Sequence, residues 1–195
     1  MEMLQDRNYD TSAYNNFSMK EIDIMFKNSA KSSSQMNPLD MKINKDGHHI
    51  YIKYVLNSKV RLSNIQQLVI DMKENVLNDN DELLIITRDK VSNESSLDSS
   101  FEALLKSNNI YVQLFWIDTI IINITKHEFV PKHRVLSSNE KEKLLDKYNI
   151  SSYTQLPIML KTDPVAKFYG MRRGDVAEIT RPSETAGQYI CYRYC

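Results

Sequence analysis

Four side chains in the last third of the chain are of types that bind metal ions: His127, His133, Cys191 and Cys195. Cys191 and Cys195 are the only cysteines and lie four residues apart. On one extended strand their Cα atoms would be about 13 Å apart, which is too far for both to bind one zinc ion. The spacing therefore argues against a metal site, and we expect neither a metal nor another cofactor.

An acidic cluster, Asp79, Asp81 and Glu82, could be imagined as the centre of a metal-dependent nuclease. Acidic residues just before a buried strand are more often solvated turn residues, and we interpret them in that way. The chain has no Gly-x-Ser-x-Gly motif and only four glycines, so a hydrolase nucleophile elbow and the glycine-rich phosphate loops are not indicated. The residues alone therefore indicate no catalytic motif.

Arginines and tyrosines are interleaved in the last quarter of the chain. Both residue types are enriched at protein–protein hot spots, and both can stack on RNA bases. Spacing alone does not choose between these two kinds of partner. The residues concerned are Arg172, Arg173, Arg181, Arg193, Tyr169, Tyr189, Tyr192 and Tyr194.

The charge is balanced overall but unevenly distributed. The chain has 25 basic and 25 acidic side chains, with 13 basic and 17 acidic in residues 1–124 and 12 basic and 8 acidic in residues 125–195. A neutral chain has no cationic field to drive autonomous binding to nucleic acid. The C-terminal part is the better suited to meet an anionic surface.

No apolar run has the length of a membrane span. The most apolar run, residues 110–124, is about half a dozen residues too short and contains Asp118. The first residues lack the basic and apolar regions of a signal peptide, and two thiols suit a reducing compartment. We expect an intracellular protein with no membrane partner.

Residues 1–124 show the pattern of a small α/β domain, because strand and helix periodicities alternate along them. Two short helices are predicted within residues 1–26, the second capped by Ser18, and a Ser-rich loop follows over residues 28–37. A strand with one well-buried face is predicted over residues 49–56, followed by a helix capped by Ser63 and an apolar strand over residues 83–86. After a polar loop over residues 88–95 come a helix ending at Asn108 and strand candidates over residues 110–115 and 120–124.

Composition changes after Ile124, where a polar, basic segment begins, and we place a domain boundary there. Residues 125–195 are predicted to form a small α+β domain. Its predicted elements are a helix that starts with a capping box at Ser137 and Glu140, a short helix between the cap Asp163 and Gly170, a turn over residues 172–175, a strand over residues 176–180, a tight loop over residues 182–187 and a strand over residues 189–194.

Three long motifs resemble the fifth-largest subunit of eukaryotic-type DNA-directed RNA polymerases, and the C-terminal domain also resembles the small archaeal polymerase subunit that corresponds to it. Such long, ordered matches are specific. They are residues 122–133 (INITKHEFVPKH), residues 162–176 (TDPVAKFYGMRRGDV) and residues 181–189 (RPSETAGQY), and the pair Leu156-Pro157 precedes the second of them.

The resemblance implies a non-catalytic structural subunit with an α/β N-terminal jaw-like domain and an assembly domain over residues 125–195. The assembly domain would dock on the largest polymerase subunit and contact other subunits, and the jaw-like domain would lie beside downstream DNA. Arg88 and Lys90 are the expected DNA contacts. For Arg181 and Glu184 a mutual ion pair is the alternative. The expected partner-binding residues are Lys167, Tyr169, Arg172, Arg173, Arg181, Ser183, Glu184 and Thr185.

Over the N-terminal part the resemblance is weaker and rests on residues 3–9 as a first helix and on the element order. The chain begins within what would be that helix, and the loop over residues 88–95 lacks an expected proline. Such a divergent domain is similar to versions encoded by large cytoplasmic DNA viruses. The location would be the nucleus for a cellular protein, and the host cytoplasm or virion for a viral one. A metal-dependent nucleic-acid-processing enzyme and a regulatory factor docking on a host polymerase are the alternatives.

Overall fold

The structure, a computed structural model, describes residues 1–29, 37–45, 47–56, 60–91 and 95–195. The chain divides into two compact units, Met1–Ile122 and Asn123–Cys195, which we call the N-terminal and C-terminal units. Each has mixed helix and strand content. Residues 30–36 and 92–94, which fall in two of the predicted loops, lie outside the described residues. Among the described helices, none combines the length and apolar character needed to cross a bilayer.

The N-terminal unit is built on a four-stranded sheet in the order β1-β2-β3-β4. Strand β1 pairs with β2 antiparallel, whereas β2, β3 and β4 are parallel and are joined by the crossover helices α3 and α4. The predicted strand–helix–strand units are thus confirmed. The elements are α1 (Glu2–Asp6), α2 (Met19–Ser29), β1 (Met41–Lys45), β2 (His48–Val55), α3 (Leu62–Asn75), β3 (Glu82–Thr87), α4 (Ser95–Asn108), β4 (Tyr111–Trp116) and α5 (Asp118–Ile121), with a 3-10 turn at Ser12–Tyr14.

Both faces of this sheet are buried. One face packs against α3 and α4 around Ile65 and Leu97, and the other packs against α1 around Leu4. The prediction of one well-buried face for β2 was therefore wrong. Tyr51 is buried beneath the helices, and the Lys53 ammonium is buried with the Asp40 carboxylate, 2.5 Å away. The alternating pattern of β2 did not reveal this pair, because Asp40 lies outside the strand.

Two local predictions for the N-terminal part of the chain were wrong, and one strand was not predicted. Ser63 does not cap α3, since the cap position is Arg61 and the helix already begins at Leu62. The strand candidate over residues 120–124 was wrong, because this stretch contains the end of α5 and the start of a 3-10 turn, Ile124–Lys126. Strand β1 was missed, although the Asp46-Gly47 dipeptide after it is a sequence signal for a hairpin.

The C-terminal unit is a three-stranded antiparallel sheet in the order β5-β6-β7 with a helix on each face. Leu144 of α6 packs on Val176, and Ala166 of α7 packs on the opposite face with Ile179. The predicted loop over residues 182–187 is shorter than expected, because Pro182 still pairs with Gln188. The elements are β5 (Lys132–Val135), α6 (Ser138–Tyr148), α7 (Pro164–Tyr169), β6 (Val176–Ser183) and β7 (Gly187–Tyr194), with a 3-10 turn at Tyr153–Gln155.

Candidate docking surface

Helix α7 is held at both ends by the residues that the sequence indicated. The Asp163 carboxylate accepts hydrogen bonds from the backbone N–H groups of Val165 (2.8 Å) and Ala166 (3.4 Å), and Gly170 ends the helix in the left-handed conformation at φ 65°. Ala166 and Phe168 are buried, so the helix cannot rotate on the sheet without losing packing. Lys167 and Tyr169, two of the expected docking residues, are half-buried beside them.

The turn after α7 is closed by hydrogen bonds on both sides. The Arg172 N–H donates to the Asp175 carboxylate (2.8 Å), and the Asp175 N–H donates to the Arg172 carbonyl (3.0 Å). The backbone of Cys195 bonds to Gly174 (2.9 Å) and to Asp175 (2.8 Å). From the other direction, the Lys141 ammonium of α6 donates to the Gly174 carbonyl (3.2 Å). This turn presents Arg173 to solvent and leaves Arg172 half-buried.

The turn between β6 and β7 carries the second group of expected docking residues. Gly187 adopts φ 71°, and the Ala186 N–H donates to the Ser183 hydroxyl (3.3 Å). Arg181, Glu184 and Thr185 are exposed, and Ser183 is half-buried. Among the described residues, no ion pair joins Arg181 to Glu184.

The expected docking residues therefore form two groups at opposite ends of β6. Lys167, Tyr169, Arg172 and Arg173 lie before the strand. Arg181 and Ser183 lie in its last three residues, and Glu184 and Thr185 follow it. Strand β6 has eight residues, which at about 3.3 Å per residue separates its ends by about 23 Å. The candidate docking residues thus form two separate groups on one sheet.

A network that the sequence did not reveal attaches α6 to the sheet. The Arg134 guanidinium contacts both Glu140 (2.5 Å) and Glu178 (3.1 Å), and Tyr192 donates to the Glu178 carboxylate (3.2 Å). The hydrogen bond from Arg134, followed by those from Ser137, lowers the pKa of Glu140 to about 2. The capping box identified Glu140 in the sequence, but its arginine partner lies on β5, which was not predicted.

The residues considered for metal binding have other environments. Burial lowers the pKa of His133, whose Nδ1 lies 2.6 Å from the Pro131 carbonyl. Burial also raises the pKa of the Cys195 thiol, which disfavours the thiolate that metals require. In the part of the chain that the structure describes, no three His, Cys, Asp or Glu side chains cluster as a metal site.

The acidic cluster of the N-terminal unit contains one residue, Asp81, that was predicted wrongly. Asp81 is buried, and its carboxylate accepts backbone N–H groups from His49 (2.9 Å) and Asn78 (2.9 Å). The exposed Asp79 carboxylate accepts the Asn108 side-chain amide (2.9 Å). Asp81 is therefore a structural residue that joins two segments, and the interpretation as a solvated turn residue was wrong for it.

Arg88 and Lys90, the expected DNA contacts, follow the carboxyl end of β3 and are exposed. The Lys90 ammonium lies over the Trp116 ring, 5.2 Å from its centroid. The Thr87 hydroxyl donates to the Asp89 carbonyl (2.9 Å), which fixes the first turn of this segment. The segment therefore presents both cations from an anchored backbone.

Comparisons with known proteins identify the family. A family model described as RNA polymerase Rpb5, C-terminal domain, matches residues 122–195. The chain is 32% identical over 195 residues to DNA-directed RNA polymerases I, II, and III subunit rpabc1 of Dictyostelium discoideum, an alignment that covers 100% of this chain and 92% of the relative. The chain belongs to the Rpb5 (RPABC1) family of RNA polymerase subunits. The resemblance inferred from the motifs is thereby confirmed.

Relatives in two nematodes match a shorter part of the chain more closely. The RPABC1 subunits of Caenorhabditis briggsae and Caenorhabditis elegans are each 51% identical to it over 74 residues, which is 38% of this chain and 35% of each relative. The Rpb5 family model covers all the expected docking residues but neither Arg88 nor Lys90. The alignment with the Dictyostelium discoideum relative extends over the N-terminal unit as well.

Proposed function

We propose that the chain is a non-catalytic structural subunit of a multisubunit DNA-directed RNA polymerase. The observation that carries this proposal is the identity along the whole chain to a protein named as a subunit of RNA polymerases I, II and III. The partners would be the largest polymerase subunit and its neighbours, and the chain would work inside the cell. Residues 125–195 would be the assembly domain and residues 1–124 the jaw-like domain.

Two features support docking through the C-terminal unit. Its candidate contacts lie in α7, in β6 and in the two turns beside them, whose backbones are already held by hydrogen bonds, so little conformational entropy is lost on binding. It also carries an excess of basic side chains, 12 against 8 acidic over residues 125–195. We propose that the exposed Arg173 and Arg181 meet acidic groups of the largest subunit.

A weaker role is proposed for the N-terminal unit at downstream DNA. Residues 1–124 carry 13 basic and 17 acidic side chains, and such a surface does not bind DNA without help. Arg88 and Lys90 would contact phosphates only when the assembled enzyme brings DNA close, since tethering raises the effective concentration.

The test is affinity purification of the full-length chain from its native source, with quantification of every co-purified protein. We expect a large polymerase subunit at one copy per copy of the chain. The matched variants are Arg173→Glu and Lys106→Glu, each of which reverses one charge. The first should lower co-purification about tenfold, and the second, on the other unit, should not. A chain that purifies alone, or that cleaves DNA by itself, contradicts the proposal.

A further inference from the structure

The two outer edges of the C-terminal sheet, formed by β5 and β7, differ in length. Strand β5 has only four residues, Lys132–Val135, and Pro131 directly precedes it. Short edge strands and flanking prolines are common ways in which natural sheets limit pairing with another strand.

The edge formed by β7 is eight residues long, and residues 157–159 pair with it at Tyr194 through a parallel bridge. The Tyr194 N–H donates to the Pro157 carbonyl (2.9 Å), and the Tyr194 carbonyl accepts from Met159 (2.7 Å), so both groups of Tyr194 point away from β6. Backbone groups alternate in direction along a strand, so those of Tyr192 and Ile190 point outward as well. In the described ranges nothing bonds to these outward groups.

The side chains along this edge divide into an apolar and a cationic face. On the α6 side, Ile190 is 47% exposed, and the Tyr192 ring packs edge-on against Tyr148. On the α7 side, Arg181 and Arg193 form no ion pair within the described residues. A strand added here would need apolar side chains on one face and acidic ones on the other.

We propose that the outer edge of β7, from Tyr189 to Tyr192, receives an extended segment of a polymerase subunit as an added strand with alternating apolar and acidic side chains. This inference rests on the proposed function and names the binding mode of the same domain. Main-chain hydrogen bonds to Ile190 and Tyr192 would supply affinity, and the two faces would supply specificity. A second copy of the chain is a poor occupant, because pairing through this edge would put two Arg193 side chains on one face.

Amide hydrogen exchange tests the proposal. The full-length chain is exchanged alone and in the purified complex, then transferred to an aprotic solvent and read residue by residue by NMR. We expect the amides of Ile190 and Tyr192 to exchange at least about tenfold more slowly in the complex. The amides of Cys191 and Arg193, which face β6, should be protected in both samples.

A pair of variants separates the backbone from the side chain. Ile190→Pro removes the outward N–H together with the isoleucine side chain, and it should lower co-purification of the large subunit about tenfold. Ile190→Thr also removes the isoleucine side chain but keeps the N–H, and it should lower co-purification much less. Thermal unfolding checks that both variants are folded.

The outcomes of these experiments distinguish strand addition at β7 from the proposed function as a polymerase subunit. Co-purification with unprotected Ile190 and Tyr192 amides, or equal behaviour of the two variants, overturns strand addition and leaves the subunit role intact. If the Ile190 and Tyr192 amides of the isolated chain exchange more slowly as its concentration rises, the edge pairs with a second copy of the chain. That result contradicts a polymerase subunit as the added strand. A chain that binds no polymerase subunit overturns both proposals.

Discussion

In the N-terminal unit the central strand β3 is buried on both faces, whereas in the C-terminal unit half of the candidate docking residues lie in turns held by a few hydrogen bonds. The first arrangement derives its stability from close packing. The second keeps polar side chains at the surface and fixes only the backbone beneath them. Substitutions should therefore affect folding in the first unit and docking in the second, so the two properties can be separated by experiment.

The largest effect is expected at Ile85, which is fully buried in β3. Ile85→Ala should lower the free energy of unfolding by about 3 kcal/mol through lost packing and the cavity left behind. Urea unfolding can be followed through Trp116, the only tryptophan, which lies in the same unit. The control is Ile70→Ala on α3, where the side chain is 47% exposed and the loss should be well under 1 kcal/mol. Equal losses would mean that the double-sided core is misassigned.

Asp81 should give the second-largest effect. Asp81→Ala removes a buried carboxylate that accepts two part-buried hydrogen bonds from backbone N–H groups, at an expected cost of about 2 kcal/mol. Asp79→Ala, two residues earlier, removes one exposed hydrogen bond and should be nearly neutral. The same Trp116 measurement applies to both. A neutral Asp81→Ala would restore the interpretation of this residue as a solvated turn residue.

Predictions from sequence succeeded where the signal was local. The apolar run from Leu83 to Ile86 has no polar interruption, and Asp163 with Pro164 and Gly170 marks both ends of α7 within eight residues. Each such signal acts through neighbours in the chain, so one sequence suffices to recognise it. The strands and helices that carry the docking residues were found in this way.

The features that were not predicted from sequence depend on residues distant in the chain. Strand β5 has four residues, in which the basic Lys132 and Arg134 alternate with His133 and Val135. It is stabilised by β6, which is more than forty residues away in the chain. The burial of Lys53 depends on Asp40, and the environment of Asp81 depends on His49. None of these pairings leaves a pattern among neighbouring residues, so the burial of Lys53 and Asp81 was not predicted.

Gly187 tests the turns of the C-terminal unit with a smaller expected effect. A Cβ at this position would meet no neighbouring atom, so any cost comes from the positive φ of 71° and not from crowding. Gly187→Val should lose about 1–2 kcal/mol of stability and reduce incorporation into the complex, whereas Gly187→Asn, which tolerates this conformation, should lose less. Thermal unfolding and co-purification report the two consequences. If the valine variant incorporates normally, the backbone of this turn does not set the docking geometry.

The smallest effect is expected at Glu140, which is held by Arg134 at the surface. Its pKa is lowered from 4.5 to about 2, chiefly by the Arg134 hydrogen bond and then by Ser137. A lowered pKa in the folded state means that the carboxylate stabilises the fold above about pH 4.5 and that this contribution is lost as the pH falls towards 2. Glu140→Gln keeps the capping-box geometry but removes the charge. The stability difference between the two proteins should therefore be present at pH 7, shrink below pH 4.5 and diminish with added salt. A difference independent of both pH and salt would show that Arg134 acts on α6 through packing and not through its charge.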